Sequence, residues 1–330
     1  TVAGARLLPS QPESNRLARV SKETYPGGYF IPNRYDPYGY LPGITVMNGT
    51  NIWNALTSNA KGQLTSISQG GRTTSYGFDA RGFPSSINSP GIMNMSYSFM
   101  ARGNLDYRQD HLTGNRETFT YDALNRLTDW TVYRNNVRQS VNSLTYHPTT
   151  GLISGKSDLG ASSVMQYGES GQPPHALTSI TGSAGLIPAT EQGITYTDFK
   201  KASQVTEGDH VLNITYGVGD ERIKTVLSNP SGTLTRYYAG NYEEEIRNGQ
   251  TRKIHYINGG NGLTALYVSN GGNDTLYYVH TDYQGNLLAL SLSNGTVPER
   301  YAYDPWGKRR DPSNWSLPDT RTTFLFHRGY

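Results

Sequence analysis

Tyr121-Asp122-Ala123-Leu124-Asn125-Arg126-Leu127 is the stretch that decides the fold. An aspartate opening a four-residue turn accepts a backbone hydrogen bond, and Asn in the fourth place tolerates the left-handed backbone of a bulge. The alternating run Thr118-Phe119-Thr120-Tyr121 enters the turn and Arg126-Leu127-Thr128-Asp129-Trp130 leaves it, which reads as a β-hairpin. The same grammar returns with Tyr76 ahead of Asp79 to Gly82, Tyr278 ahead of Asp282 to Gly285, and Tyr303 with Asp304-Pro305-Trp306-Gly307. Asp36-Pro37-Tyr38-Gly39 satisfies every turn condition, Asn59 to Gly62 keeps both ends, and Met100-Ala101-Arg102-Gly103 loses the aspartate. Aligned on their strand tyrosines from Tyr76 to Tyr303, the units repeat about every 23 residues. The turn positions to watch are therefore Asp36, Gly39, Asn59, Gly62, Asp79, Gly82, Asp122, Asn125, Asp282, Gly285, Asp304 and Gly307.

Composition agrees with an all-β chain of antiparallel hairpins. Tyr 25 and Gly 37 beside a hydrophobic share of 35% describe many short strands and turns, and no convincing run has apolar residues at helical spacing. Lys and Arg number 29 against 26 Asp and Glu, a net charge of +3 that falls short of a nucleic-acid-binding face. The densest basic cluster, Lys308-Arg309-Arg310, reads as the solvated flank of a turn. Without cysteine there are no disulfides and no thiolate metal sites, and the redox compartment stays open. The start Thr1-Val2-Ala3-Gly4-Ala5-Arg6 has no signal-peptide pattern and no stretch is apolar enough to span a membrane, so any export signal is expected outside this sequence.

Residues 1–50 read as an irregular cap or connection rich in Pro and Gly, with one repeat-like unit at Tyr35 to Tyr40. Residues 51–330 read as the repeat array, with a longer loop from Glu169 to Ala176. Alternation places each tyrosine on one face of its strand, so successive units stack tyrosines in a ladder; packing across strands explains this, and a tyrosine-lined ligand face is the other reading.

The spelling Tyr-Asp-x-x-Gly-Asn/Arg-Leu resembles the YD repeat of the RHS family, which includes bacterial polymorphic toxins, the C component of insecticidal Tc toxins, and the teneurins. The strings that carry the resemblance are Tyr121 to Leu127, His175-Ala176-Leu177-Thr178-Ser179-Ile180, Tyr278 to Asn286, and Tyr301 to Lys308. The last two are similar to the approach to the family's core region. The resemblance implies a long sheet spiralling into a hollow shell that holds a C-terminal toxic domain, in many members released by paired aspartates. The sequence ends at Phe326-His327-Arg328-Gly329-Tyr330, where that core would begin, so no catalytic residue is carried over and a fragment of a longer protein is expected. Eleven units of two strands at about 4.8 Å per strand would close into a ring only about 33 Å across. That is too narrow for a folded cargo with a radius of gyration of about 13 Å, which implies part of a wall or groove.

Sites of chemistry are sparse. Asn270-Gly271-Gly272-Asn273-Asp274-Thr275-Leu276 is similar to a Ca²⁺-binding nonapeptide but occurs once, and a Gly-rich hairpin loop explains it better. His111, His147, His175, His210, His255, His280 and His327 never fall at metal-ligand spacing. His280 and Asp282 share a hairpin and could form an acid/base pair, though the repeat accounts for both. Glu243-Glu244-Glu245 reads as a solvated strand or turn. Gly217-Val218-Gly219-Asp220-Glu221-Arg222 lacks the third glycine of a dinucleotide loop, and no nucleophile elbow or phosphate loop occurs. The sequons at Asn48 and Asn294 matter only in a glycosylating host.

The expected function is that of a non-enzymatic segment of a secreted or cell-surface bacterial shell, with no catalytic, cofactor or metal residues. Its expected partner is the rest of the parent protein or another shell subunit, with self-association through open sheet edges and without nucleic acid. The alternative is surface adhesion or glycan binding, with Trp130, Trp306 and Trp315 as stacking platforms.

Overall fold

The computed structural model describes residues 11–45, 49–171, 173–182 and 192–326. Expectations placed on residues 1–6, on Asn48 and on residues 327–330 lie outside the described residues. Strands pair antiparallel with their neighbours in the chain, and among the described residues the helical structure amounts to two single 3-10 turns, Ser157–Leu159 and Glu169–Gly171. The chain forms two compact units. One combines Thr1–Tyr76 with Thr190–Arg300, the other Gly77–Ala189 with Tyr301–Tyr330.

The two ends of the hairpins are built differently. At one end sit the Asp-x-x-Gly turns. Asp79 Oδ1 accepts from the backbone N–H groups of Arg81, Gly82 and Phe83, each at 2.9 Å, while Gly82 N–H returns to the Asp79 carbonyl at 3.0 Å. Asp122 Oδ1 accepts from Leu124 and Arg126, Asp282 Oδ1 from Gln284 and Asn286, and Asp304 Oδ1 from Trp306 and Lys308. The fourth position carries the positive φ that the turn demands, 99° at Gly82 and 61° at Asn125. At the other end lie two-residue turns of the primed type, such as Gly70-Gly71 at φ 58° and 76° and Asn135-Asn136 at 48° and 63°. Their twist matches that of the strands they join.

Residues 1–50 hold strands Gln11–Ser14, Val20–Thr24, Phe30–Arg34 and Gly43–Thr45. Tyr25-Pro26-Gly27-Gly28, inside the Pro- and Gly-rich stretch read as irregular, is a hairpin turn of the repeat type, with Gly28 N–H on the Tyr25 carbonyl at 3.1 Å. Pro32 lies within a strand, paired with Lys22 on one side, while the described pairing on its other side covers Asn33 and Arg34.

A bulge falls at the strand tyrosine itself, between Thr120 and Tyr121, Thr145 and Tyr146, Gln166 and Tyr167, and Thr215 and Tyr216. Bulges re-aim side chains. Here each tyrosine reaches back to the preceding hairpin, where its hydroxyl donates to a backbone carbonyl: Tyr121 to Leu105 at 3.0 Å, Tyr146 to Leu127 at 2.7 Å, Tyr167 to Ile153 at 2.9 Å. In the other unit Tyr35 donates to Val20 at 2.9 Å and Tyr216 to Ala202 at 2.8 Å. The residue before the accepting carbonyl lays its cation on the same ring, Arg126 over Tyr146 at 4.2 Å and Lys201 over Tyr216 at 5.5 Å. Arg-Leu after the turn is thus the receiving half of the next tyrosine's contact. Burial pushes the phenol pKa of Tyr121, Tyr146 and Tyr167 up, which keeps the donor proton in place.

In the first unit the N-terminal strands lie directly against the C-terminal ones. Tyr25, Ile31, Ile44, Ile52, Trp53 and Ile67 form one core with Ala239, Tyr242, Ile257, Ala265 and Tyr278. Full burial of such side chains contributes about 1.5–3 kcal/mol each before entropy is counted. Polar bonds fix the register of the layers. Gln69 Nε2 donates to the carbonyls of Thr264 (2.6 Å) and Val279 (2.7 Å), and Tyr25 hydroxyl to that of Tyr256 (2.8 Å). Glycine permits the approach: a Cβ on Gly260 would lie 2.7 Å from the Trp53 ring. In the second unit Met93, Met95 and Tyr97 alternate inward along one strand, with Phe119, Trp130 and Val132 also buried.

Tyr146→Phe keeps the ring and its arginine but removes the hydroxyl bond to the Leu127 carbonyl. We expect a loss of about 0.5–1.5 kcal/mol in urea unfolding, against less than about 0.5 kcal/mol for Tyr38→Phe at an exposed turn.

Candidate functional site

Strand Asn115–Tyr121 of the second unit turns Asn115, Glu117 and Phe119 inward by simple alternation. An inward glutamate needs cations, because an unpaired buried carboxylate is prohibitively costly. Arg108 stands directly opposite Glu117 on strand Leu105–Asp110, with Nε and Nη2 at 2.8 and 2.7 Å from Oε2. Arg310 completes a fork from strand Arg309–Arg310, its Nη1 and Nη2 at 2.7 and 2.8 Å from Oε1 and Oε2. Glu117 is fully buried. Burial alone would push its carboxyl pKa up, but the Arg310 and Arg108 guanidinium groups overcome this and hold it below the usual carboxylate range.

The cluster ties residues 303–315 to strands nearly 200 positions earlier in the chain. Arg108 Nη2 also donates to the Tyr303 carbonyl at 2.7 Å. Asn115 donates to the Ser313 carbonyl (3.1 Å) and accepts from Trp315 N–H (3.2 Å). Arg310 lies over the Trp315 ring at 4.5 Å. Beside it opens a cleft of about 270 Å³ lined by Trp130, Val132, Asn142, Asp158, Lys308 and Trp315, among others. Lys156 sits over Trp130 at 5.4 Å and Trp306 at 5.8 Å, with its ammonium 2.5 Å from Asp158 Oδ2. The arrangement holds elements together. Glu117, ionised and clamped between two cations, is unsuited to taking up a proton near neutral pH.

Several expectations need correction. Arg310 is not a solvated flank; it is 5% exposed because it neutralises Glu117. Glu243 and Glu245 are buried within strand Tyr242–Arg247, where Glu245 binds Arg236 at 2.7 Å and Arg252 at 3.1 Å. Of the three proposed stacking platforms, Trp130 and Trp315 are buried and carry cations on their rings, while Trp306 is exposed. The hairpin reading of Asn270 to Asn273 holds, as a two-residue Gly271-Gly272 turn, and the preferred structural reading of His280 and Asp282 agrees with their bonds. His280 bonds to Ser291, and Asp282 caps its turn.

The turn residues stand at separate hairpin ends: Asp36 accepts from Tyr40 N–H and Asn59 from Lys61 and Gln63 N–H, with Gly39, Gly62, Gly285 and Gly307 at positive φ. Asp304 also lines the cleft. The repeat grammar did not reveal Glu117, Arg108 and Arg310. The available signal was Glu117 itself, in phase with the inward Asn115 and Phe119. Arg310→Met should therefore remove the fork on Glu117 and leave its buried carboxylate to Arg108 alone, costing about 1.5–3 kcal/mol in urea unfolding, above a surface ion pair.

No protein-family model matches the chain. A 94-residue stretch, 27% of the chain, is 31% identical to the tRNA3(Ser)-specific nuclease WapA of Bacillus spizizenii and corresponds to 4% of that protein. The crystal structure of TcdB2-TccC3 without its hypervariable C-terminal region matches 94% of this chain at a TM-score of 0.71 and 15% identity. The Photorhabdus luminescens Tc holotoxin pore matches 91% at a TM-score of 0.65 and 14% identity. The chain spans 18% of the length of each of these structures. In fold, this antiparallel hairpin array is similar to that of the Tc toxin structure TcdB2-TccC3.

Proposed function

We propose that the chain is a non-enzymatic wall segment of a secreted or cell-surface RHS-type shell that encloses a C-terminal toxin or effector of a larger protein and helps deliver it. The observation that carries this reading is the hairpin array itself. The hydroxyls of Tyr35, Tyr121, Tyr146, Tyr167 and Tyr216 each bond back to a carbonyl just after the preceding turn, as a continuous wall favours, and the fold follows TcdB2-TccC3 over 94% of the chain. In this reading residues 1–50 serve as the cap or connection, residues 51–330 as the array, and the turns at Asp79, Asp122, Asp282 and Asp304 set its hairpin spacing. The remaining wall and the cargo come from the rest of the parent protein or from another subunit.

The buried charges support a structural role, since Glu117 and Glu245 are each consumed by two arginines. Adhesion through tryptophan platforms is disfavoured by the burial of Trp130 and Trp315. Limited proteolysis of the complete product of the encoding reading frame tests the proposal. A folded C-terminal segment resisting protease in the native protein and cut once the sheets are opened by denaturant is the expected result. Cleavage of that segment at equal rates in both states, or its absence from the product, contradicts it.

A further inference from the structure

In the first unit, strand Asn273–Thr281 carries His280, which is 3% exposed and has its Nε2 2.8 Å from Ser291 Oγ. His280 faces Ala289 on the next strand, and Ala289 faces Arg300 on the one after, so imidazole and guanidinium lie along one row. Arg72, from the N-terminal strands, reaches the same region. Its Nη2 donates to the Asn294 carbonyl at 3.0 Å and its guanidinium lies against Gly295, where a Cβ would collide with it. Asp282, beyond the end of the strand, spends its carboxylate on Gln284 and Asn286, and Glu299 is the carboxylate on the strand of Arg300. Ser291 can donate or accept, so its bond tolerates either protonation state of the ring. The charge is what the site does not tolerate: a third cation would be buried beside two guanidinium groups.

We propose that His280 is an acid-sensitive latch. Neutral, it lets the Arg72-bearing N-terminal strands seat against strands Asn273–Thr281 through Glu299–Arg300; protonated, it releases that seam.

Burial first, then Arg300 and Arg72, pushes the His280 pKa down to about 4. A group with a lowered basic pKa binds its proton more readily in the opened state. The latch is therefore fully closed above the ordinary histidine value of about 6.5 and weakens as pH falls toward about 4. Carboxylates held low by partners, such as Glu117 and Asp122, lose their contribution only below their ordinary range near 4, leaving the interval above it to histidines. His255 shares that interval. It is buried against Tyr25, Tyr29, Tyr242 and Tyr267 with Lys253 and Asp274 nearby, and its pKa is lowered chiefly by burial.

Hydrogen exchange across pH, corrected for intrinsic rates, separates the two in the whole chain. Protection of residues 273–291 should fall about a hundredfold more between about pH 7 and about pH 4 in the native sequence than in His280→Gln. Equal losses in both would overturn the proposal. Should His280→Gln fail to fold, the ring resonances of His280 in the native chain decide: a midpoint below about 5 supports the latch, and one near 6.5 refutes it.

Discussion

The bond from a strand tyrosine to a carbonyl of the preceding hairpin is the interaction on which the array depends. A lone hairpin is marginal in water, and a tight turn specifies only its own two strands. The bulge at Tyr121, Tyr146, Tyr167 and Tyr216 lifts each ring out of regular alternation and aims its hydroxyl backward. Tyrosine suits this place because it joins an apolar ring, which accepts a cation from the previous turn, to a donor that satisfies a carbonyl the ladder leaves available. The link is local in sequence. Repeat arrays gain stability from such nearest-neighbour terms, so units that lose an aspartate, such as Met100 to Gly103, are tolerated.

Each unit adds a second, long-range closure. In the first it is apolar, with Trp53 and Ile67 against Ala265 and Tyr278, and Gln69 supplying polar register between layers. In the second it is ionic, Glu117 forked by Arg310 and braced by Arg108. An apolar core tolerates small slips; a fork of two parallel hydrogen bonds does not. The ionic closure therefore positions residues 303–315 sharply, whatever its net contribution to stability.

Much of the fold was legible in the sequence, because its signals are local. Aspartate at the turn start, Gly or Asn at positive φ, and alternation between turns act within a few residues, and Asp79 to Gly82 or Asp304 to Gly307 display them openly. The two-residue turns at Asn135-Asn136 and Asn248-Gly249 carried an equally good signal that the tyrosine spacing overshadowed. The Pro and Gly content of residues 1–50 reads as irregular, yet Pro26 occupies the turn between two strands. The buried charges were illegible for a different reason. Glu117 and Arg310 lie 193 positions apart in the chain, and a lone basic triplet or acidic triplet carries no mark of what will be packed onto it. Inward phase was the one local clue, and it points to a needed partner without naming it.

The most direct test of the central claim is native-state hydrogen exchange in Tyr146→Phe. If the hydroxyl couples neighbouring Asp-turn hairpins, amides of strand Asn115–Tyr121, on the far side of Leu127–Arg134, lose protection together with those of Leu127–Arg134 and Val137–Tyr146. Faster exchange confined to Leu127–Arg134 and Val137–Tyr146, with Asn115–Tyr121 unchanged, would contradict the account.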